Sequence, residues 1–244
     1  MKPALALVFV LSLLIAPPLR AGESVVVVEL FTSQGCSSCP PADAYLRELA
    51  AREGVLALAL HVDYWDYIGW QDSFGQAAWS DRQRAYAEIG GRNWVYTPQM
   101  IINGTDDVAG SRPEDVEVLI RAHGAKAPAV TLNARRMEDT LQITAQIAGK
   151  NTGQINESAS KGVGGPYLVQ LFRYLPHQEV EISRGENAGR TLGYTNIVTG
   201  IDLLATWDGW SALAIEAPMA GKQSGMVIIQ SRGPGAIIAA TAVE

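Results

Sequence analysis

Two patterns of apolar and polar positions meet near residue 127. Before it, apolar residues gather in short unbroken runs or recur at helical spacing; after it, they alternate with period two. Residues 25–31 read Val-Val-Val-Val-Glu-Leu-Phe, a β-branched run suited to a strand covered on both faces. Pro40 and Pro41 fit a helix's first turn, Tyr45, Leu46 and Leu49 supply its apolar face, and Gly54 stops it. Residues 55–62 are a second buried strand, so the order strand, helix, strand predicts a parallel pair with a right-handed crossover. Asp72, and Ser80 with Gln83 as a capping box, read as helix N-caps within residues 64–96. Thr97-Pro98 precedes a strand at 99–102, and Asn103-Gly104 predicts a hairpin to 107–109. Ser111, Pro113 and Glu114 open a helix that runs to His123 and stops at Gly124.

Beyond residue 127 the alternation marks short strands at 130–132, 141–148, 167–174, 178–182, 194–198, 212–215, 226–230 and 236–242. A Gly/Ser/Asn-rich loop lies at 151–165. Short strands between Gly, Pro and Asn turns predict an antiparallel β-sandwich-like domain over 127–244. It follows an α/β domain over 24–126.

The ends and the composition narrow the function. The chain has 244 residues, 48% hydrophobic and 18% charged, with a formal net charge of −6. That suits a packed globular protein and lacks the clustered Lys and Arg that a nucleic-acid partner requires. Met1-Lys2, an apolar run over 4–16, the Pro17-Pro18 break and Leu19-Arg20-Ala21 have the layout of a signal peptide covering 1–21. The run is short for a membrane span, a retained anchor being the alternative. The expected location is periplasmic or secreted, without stable membrane insertion after cleavage.

The chain has two cysteines, and both fall in Cys36-Ser37-Ser38-Cys39. Two thiols make one redox pair or half of a metal site. Their spacing places both sulfurs on one helical face, and the helix's positive end favours a thiolate at Cys36. Cys36 would attack and Cys39 would resolve the mixed disulfide. A structural bridge competes, although so small a loop removes only roughly 2 kcal/mol of chain entropy. Copper or another metal held by Cys36, Cys39 and His61 is a further alternative, making the protein a metal-binding chaperone. So is a non-catalytic binding module. No bound cofactor is implied.

The segment from Val28 to Asp43, Val-Glu-Leu-Phe-Thr-Ser-Gln-Gly-Cys-Ser-Ser-Cys-Pro-Pro-Ala-Asp, resembles the signature of a secreted bacterial thioredoxin-like family of unestablished activity. The likeness continues in His61-Val62-Asp63-Tyr64-Trp65-Asp66, Arg82-Gln83-Arg84, Tyr96-Thr97-Pro98-Gln99 and Gly185-Glu186-Asn187-Ala188-Gly189-Arg190. It covers nearly the whole mature chain and implies a thioredoxin fold. The wider superfamily implies a cis-proline facing the dithiol, for which Pro98 is the candidate. It also implies a buried acid serving the resolving cysteine, a position that Glu29 matches. Two departures leave the direction of electron flow open: Gly35 stands where a tryptophan is usual, and Ser-Ser replaces Gly-Pro. Residues 64–96 hold nine of the eighteen aromatics and look like an insertion. Trp65 and Trp70, with Tyr96 and Thr97, are candidates for a substrate-facing wall. The resemblance supplies a fold and no reaction; the dithiol and its setting point to a thiol–disulfide oxidoreductase acting on protein thiols and disulfides, with a redox partner protein. Cys36 is its nucleophile, Cys39 its resolver, Glu29 its proton relay, and Pro98 shapes the groove.

Overall fold

A computed structural model describes residues 24–148 and 165–243. The expected signal peptide and the loop at 151–164 lie outside the described residues. β1 (Val26–Thr32) is buried at every position, as its β-branched run predicts. β2 (Val55–His61) pairs parallel with it on one side and β3 (Gln99–Ile102) antiparallel on the other. β4 (Asp106–Ala109) completes that edge. Asn103 and Gly104 turn β3 into β4 with φ of 47° and 69°, a conformation that these two residues adopt at low cost.

Helices cover both faces of this region. α1 (Pro40–Ala50) and α3 (Pro113–Gly124) pack on Val26, Val28 and Leu30 of β1 through Leu46, Leu49, Val116 and Ile120. α2 (Ala77–Ile89) packs on the other face, where Trp79 and Tyr86 meet Val27 and Phe31. α2 begins after Gln76 rather than at a Ser80 capping box. Ser80 and Gln83 are buried inside it, bonding Asp63 and the Tyr96 carbonyl. Asp72 caps no helix; its carboxylate accepts the Phe74 N–H in a tight turn.

The expected fold class is overturned downstream of residue 127. β5 (Val130–Met137), β6 (Thr140–Ile147) and β9 (Leu213–Pro218) form a three-stranded antiparallel sheet. The other late strands are β7 (Tyr167–Ile182), β8 (Arg190–Trp207), β10 (Ser224–Ser231) and β11 (Ile237–Ala242). They join the early strands in one mixed eight-stranded sheet ordered β11-β10-β7-β8-β2-β1-β3-β4. Strand makes up 45% of the described residues and helix 19%. This is a mostly β architecture, not an α/β thioredoxin-like unit followed by a separate sandwich. Period-two alternation reports that a strand has one covered face; it does not report which sheet the strand joins. β7 and β8 also run 16 and 18 residues, because Pro176, Gly193 and Gly200 interrupt their alternation without ending them.

The shared sheet has one continuous apolar face, where Phe31, Leu58 and Leu60 meet Phe172, Val198 and Ile228. On the other face α1 and α3 cover one end. The three-stranded sheet covers the other, setting Leu141 and Ile143 on Val169, Leu171 and Val227. The β7–β8 ribbon extends from this second region toward α1, and its tip at 183–189 reaches the cysteines.

Candidate functional site

Cys36 and Cys39 are joined by a disulfide between the end of β1 and the start of α1. The Ala42 and Asp43 N–H groups donate to the Cys39 carbonyl at 2.8 and 3.1 Å, making Cys39 the N-cap. Pro40 and Pro41 occupy the next two positions, so this helix start offers the sulfurs fewer N–H donors than most. Ser38 Oγ lies 3.4 Å from Cys36 Sγ. Both cysteines are buried, while Ser37 and Ser38 between them are exposed.

Three elements hold the loop before Cys36. The buried Asn187 side chain donates to the carbonyls of Gln34 and Cys36 at 2.9 and 3.0 Å, and Arg190 donates to Asn187 Oδ1. Gln34 is fully buried: its N–H donates to Asp72 Oδ2, its Nε2 to Ser73 Oγ, and its Oε1 accepts from Trp70 Nε1. Gly35 lies against Trp65 and Ile68, which a Cβ at this position would meet at 3.4 Å, an ordinary contact distance. The Gly185–Arg190 motif, to which the sequence assigns no task, is therefore the clamp on the Cys36 loop. Its signal was its presence among the family-like segments.

The Thr97–Pro98 peptide is cis. Thr97 Oγ1 accepts from Trp65 Nε1 at 2.7 Å, and the Cβ and carbonyl of the same Trp65 lie beside Gly35, linking the two loops through one residue. Gly110 is wedged between Pro98 and Ala42, one turn into α1; a Cβ there would lie 3.1 Å from that of Ala42 and 3.3 Å from that of Pro98. Thr97, Pro98, Trp65 and Trp70 thus gather around the disulfide loop, although Trp70's polar edge is used internally by Gln34. Tyr67 stacks on Trp65 and is 81% exposed. Tyr96 packs against Trp94, which is 57% exposed. Burial and Asp107 push the Tyr96 hydroxyl up to about 12.

Glu29 is not brought to the cysteines. It alternates with Val28 and Leu30 and so points to the α2 face of the sheet, away from α1. There its carboxylate accepts from Arg82 Nε at 2.7 Å and from the Tyr86 hydroxyl. Arg82 donates also to Tyr86 and Gln230 and lies 5.2 Å from the Tyr86 and Phe172 ring centres. This is a closed buried ion pair tying β1, α2, β7 and β10 together.

A different set of titratable groups lies beneath the disulfide. Asp43 is one turn after Cys39 and 5% exposed, and neither carboxylate oxygen has a hydrogen-bond partner. Burial pushes its carboxyl from the ordinary 3.8 up to about 7, against the opposing pull of nearby His61. Thr32 lies beside it, outside hydrogen-bond geometry. His61, paired in register with Thr32, bonds Asp72 Oδ2 through Nδ1 at 2.8 Å, and its Nε2 is buried and unpartnered. Burial raises the Asp72 carboxyl, but His61 and the Gln34 and Phe74 N–H groups outweigh it and hold it below the usual range. Tyr194 of β8 stacks edge-on to His61 at 4.8 Å, its hydroxyl likewise unpartnered and its ionisation suppressed by burial and by Asp43. Sequence reasoning gave Asp43 no role; a carboxyl among Cys39, Ala42, Leu46 and Leu49 on the apolar face of α1 was the available signal. Among the described residues no group of three His, Cys, Asp or Glu side chains is arranged to hold a metal ion.

Residues 27–230 match the profile of DUF1223, a family of proteins of unknown function. The chain belongs to this family. An X-ray structure of a structural-genomics protein from Agrobacterium tumefaciens is 30% identical, with a TM-score of 0.73, covering 90% of this chain and 94% of that one. HBP35 of Porphyromonas gingivalis shares the fold at a TM-score of 0.58 and 14% identity, over 91% of this chain and 75% of its own. No functionally curated protein matches the chain. The DUF1223 match takes in the cysteine pair, the Thr97–Pro98 loop and the Asn187 clamp alike.

Proposed function

We propose that this protein carries out thiol–disulfide exchange with protein thiols and disulfides through Cys36 and Cys39, in the periplasm or outside the cell. The observation that carries this reading is the clamped Cys36 loop. Buried side chains from β8's hairpin and the segment at 70–73 fix the backbone of Gln34 and Cys36. A disulfide closing so short a loop adds little stability of its own. So much support around it suits a bond whose geometry must survive being broken and remade. A partner thiolate attacks Cys36, which retains 2% exposure, and fully buried Cys39 leaves. Export supplies the compartment in which either direction of exchange has partners.

The test uses mature protein and a model protein disulfide, followed by disulfide reduction in one direction and thiol oxidation in the other. Cys39→Ser, expressed in the cell envelope, is expected to accumulate mixed disulfides through Cys36. No exchange in either direction and no trapped adduct would end the proposal.

A further inference from the structure

Four buried polar side chains with unpartnered atoms converge beneath the disulfide. Neither oxygen of Asp43, nor Thr32 Oγ1, His61 Nε2 or Tyr194 Oη, has a partner in the protein. Buried polar groups are overwhelmingly hydrogen-bonded, so several orphans in one place ask for a role. Their placement supplies one. Cys39 has helical dihedrals, φ −78° and ψ −35°, so its side chain and that of Asp43, four residues on, lie one above the other on the same face of α1. On the far side, Asp72 Oδ2 accepts from both His61 Nδ1 and the Gln34 N–H, two residues before Cys36. Asp43 also forms part of the wall of an open pocket of about 300 Å³ shared with Pro40, Arg47 and Arg190. Bulk water therefore comes close to the buried carboxyl.

We propose that Asp43, His61 and Asp72 form an acid–base relay for the Cys36–Cys39 pair, with Asp43 serving Cys39 and the His61–Asp72 pair coupling that proton to the Cys36 loop. This rests on the exchange chemistry proposed above and names the groups that move its protons. A thiolate of an external dithiol attacks Cys36 Sγ; the Cys36–Cys39 bond breaks, and Cys39 leaves as a thiolate that takes the proton of the Asp43 carboxylic acid. The partner's second thiolate then attacks its own sulfur in the mixed disulfide and releases Cys36. Two electrons pass from the external dithiol, which becomes a disulfide. Its two protons enter solvent, and Cys36 and Asp43 are reprotonated from there, Asp43 by way of the pocket. The reverse sequence oxidises the pair.

Of the charged neighbours, His61 and Arg47 favour the ionised form of Asp43 and Asp72 opposes it. His61 faces it from β2, Asp72 from the loop before α2, Tyr194 from β8 and Arg47 from its own helix, with Arg190 at the pocket rim. The new carboxylate forms beside His61 and Arg47, which oppose its burial cost, while neutral Tyr194 adds no charge. Glu29 lies on the opposite face of the sheet, bound to Arg82.

The test is reduction of the mature protein by dithiothreitol, needing no protein partner, from pH 5 to 9. In the natural protein the Asp43 carboxyl, followed by carbon-detected NMR, is expected to titrate at different pH in the oxidised and reduced forms. Asp43→Asn is expected to slow reduction below pH 7 by about tenfold or more and to remove the inflection near pH 7 from the pH–rate profile. Asp43→Glu, which keeps the acid, is expected to restore the inflection. An Asp43 titration independent of redox state, or an inflection that persists in Asp43→Asn, overturns the relay; the NMR arm needs no variant, so a misfolded mutant leaves it decisive. The relay stands if coupling is seen with dithiothreitol while protein disulfides are refused, and in that case it is the substrate reading that fails.

Discussion

The side-chain amide of Asn187 donates to the carbonyl of Cys36 at 3.0 Å, across 151 residues of chain. One tip of a long β-ribbon thereby sets the conformation of a loop built from the other half of the molecule. Asn187 is 1% exposed, and its Nδ2 serves Gln34 as well. Asn187→Ala leaves the Gln34 carbonyl without its donor and the Cys36 carbonyl with the Cys39 N–H alone, and is expected to cost about 1 to 3 kcal/mol. Urea denaturation measures that, and hydrogen exchange at residues 34–36 is expected to accelerate more than in α3. A cost under about 0.5 kcal/mol would show that the clamp is incidental.

Glu29 and Arg82 separate structural burial from proton transfer. Arg82→Ala strands a carboxylate that is 0% exposed, and breaking a buried pair from one side costs about 3 to 5 kcal/mol. Glu29→Gln is expected to lower stability as well, yet to leave the pH profile of dithiothreitol reduction where it was. A displaced profile in Glu29→Gln would return the relay to the α2 face of the sheet.

The exposed aromatics beside the cis peptide make a prediction about substrate size. Tyr67 and Trp94 are 81% and 57% exposed and flank Trp65 and Tyr96 on either side of Thr97. Tyr67→Ala and Trp94→Ala are expected to change stability by less than about 0.5 kcal/mol. With a protein disulfide, kcat/KM is expected to fall several-fold; with dithiothreitol it is expected to hold. Equal losses with both would mean that these rings shape the loop and do not contact substrate.

Local chemistry was legible in this sequence and long-range pairing was not. The β-branched run of β1, the prolines at the start of α1, and Asn103-Gly104 each encode their own geometry within a few residues. The assembly of the sheet rests on β8 meeting β2 at Ala59 and Ile197, which no local period announces. Proline and glycine inside the ribbon disguised two long strands as several short ones. The site followed the same division. Cys36, Cys39, Thr97 and Pro98 stand in motifs that single them out as candidates; Asp43 and Asn187 stand in the family-like segments without a role, because burial and partners decide their placement. Glu29 is a candidate whose place on the strand turns it toward Arg82. One position along β1 separates the side that meets α1 from the side that meets Arg82.

That distinction has a thermodynamic signature at Asp43. In the folded oxidised protein its carboxyl is raised from 3.8 to about 7. Between those values the unfolded chain releases a proton that the folded protein retains. Stability from this group is therefore fully present below pH 4, falls as pH rises toward 7, and is constant above it. At about 1.36 kcal/mol per pH unit the loss reaches on the order of 4 kcal/mol. Asp72, held low beside His61, acts in a separate window with the opposite sign: it stabilises above about pH 4, and that contribution is lost as pH falls through its depressed value. The two are separable by substitution. Asn at position 43 carries no proton to lose, so Asp43→Asn differs from the natural protein by a constant packing offset plus this pH-dependent part. Its stability relative to the natural protein is expected to rise by several kcal/mol between pH 4 and 8, read from urea midpoints of the oxidised forms. Parallel curves across that range would mean that the Asp43 carboxyl ionises in the fold as it does in water, and the relay would lose its acid.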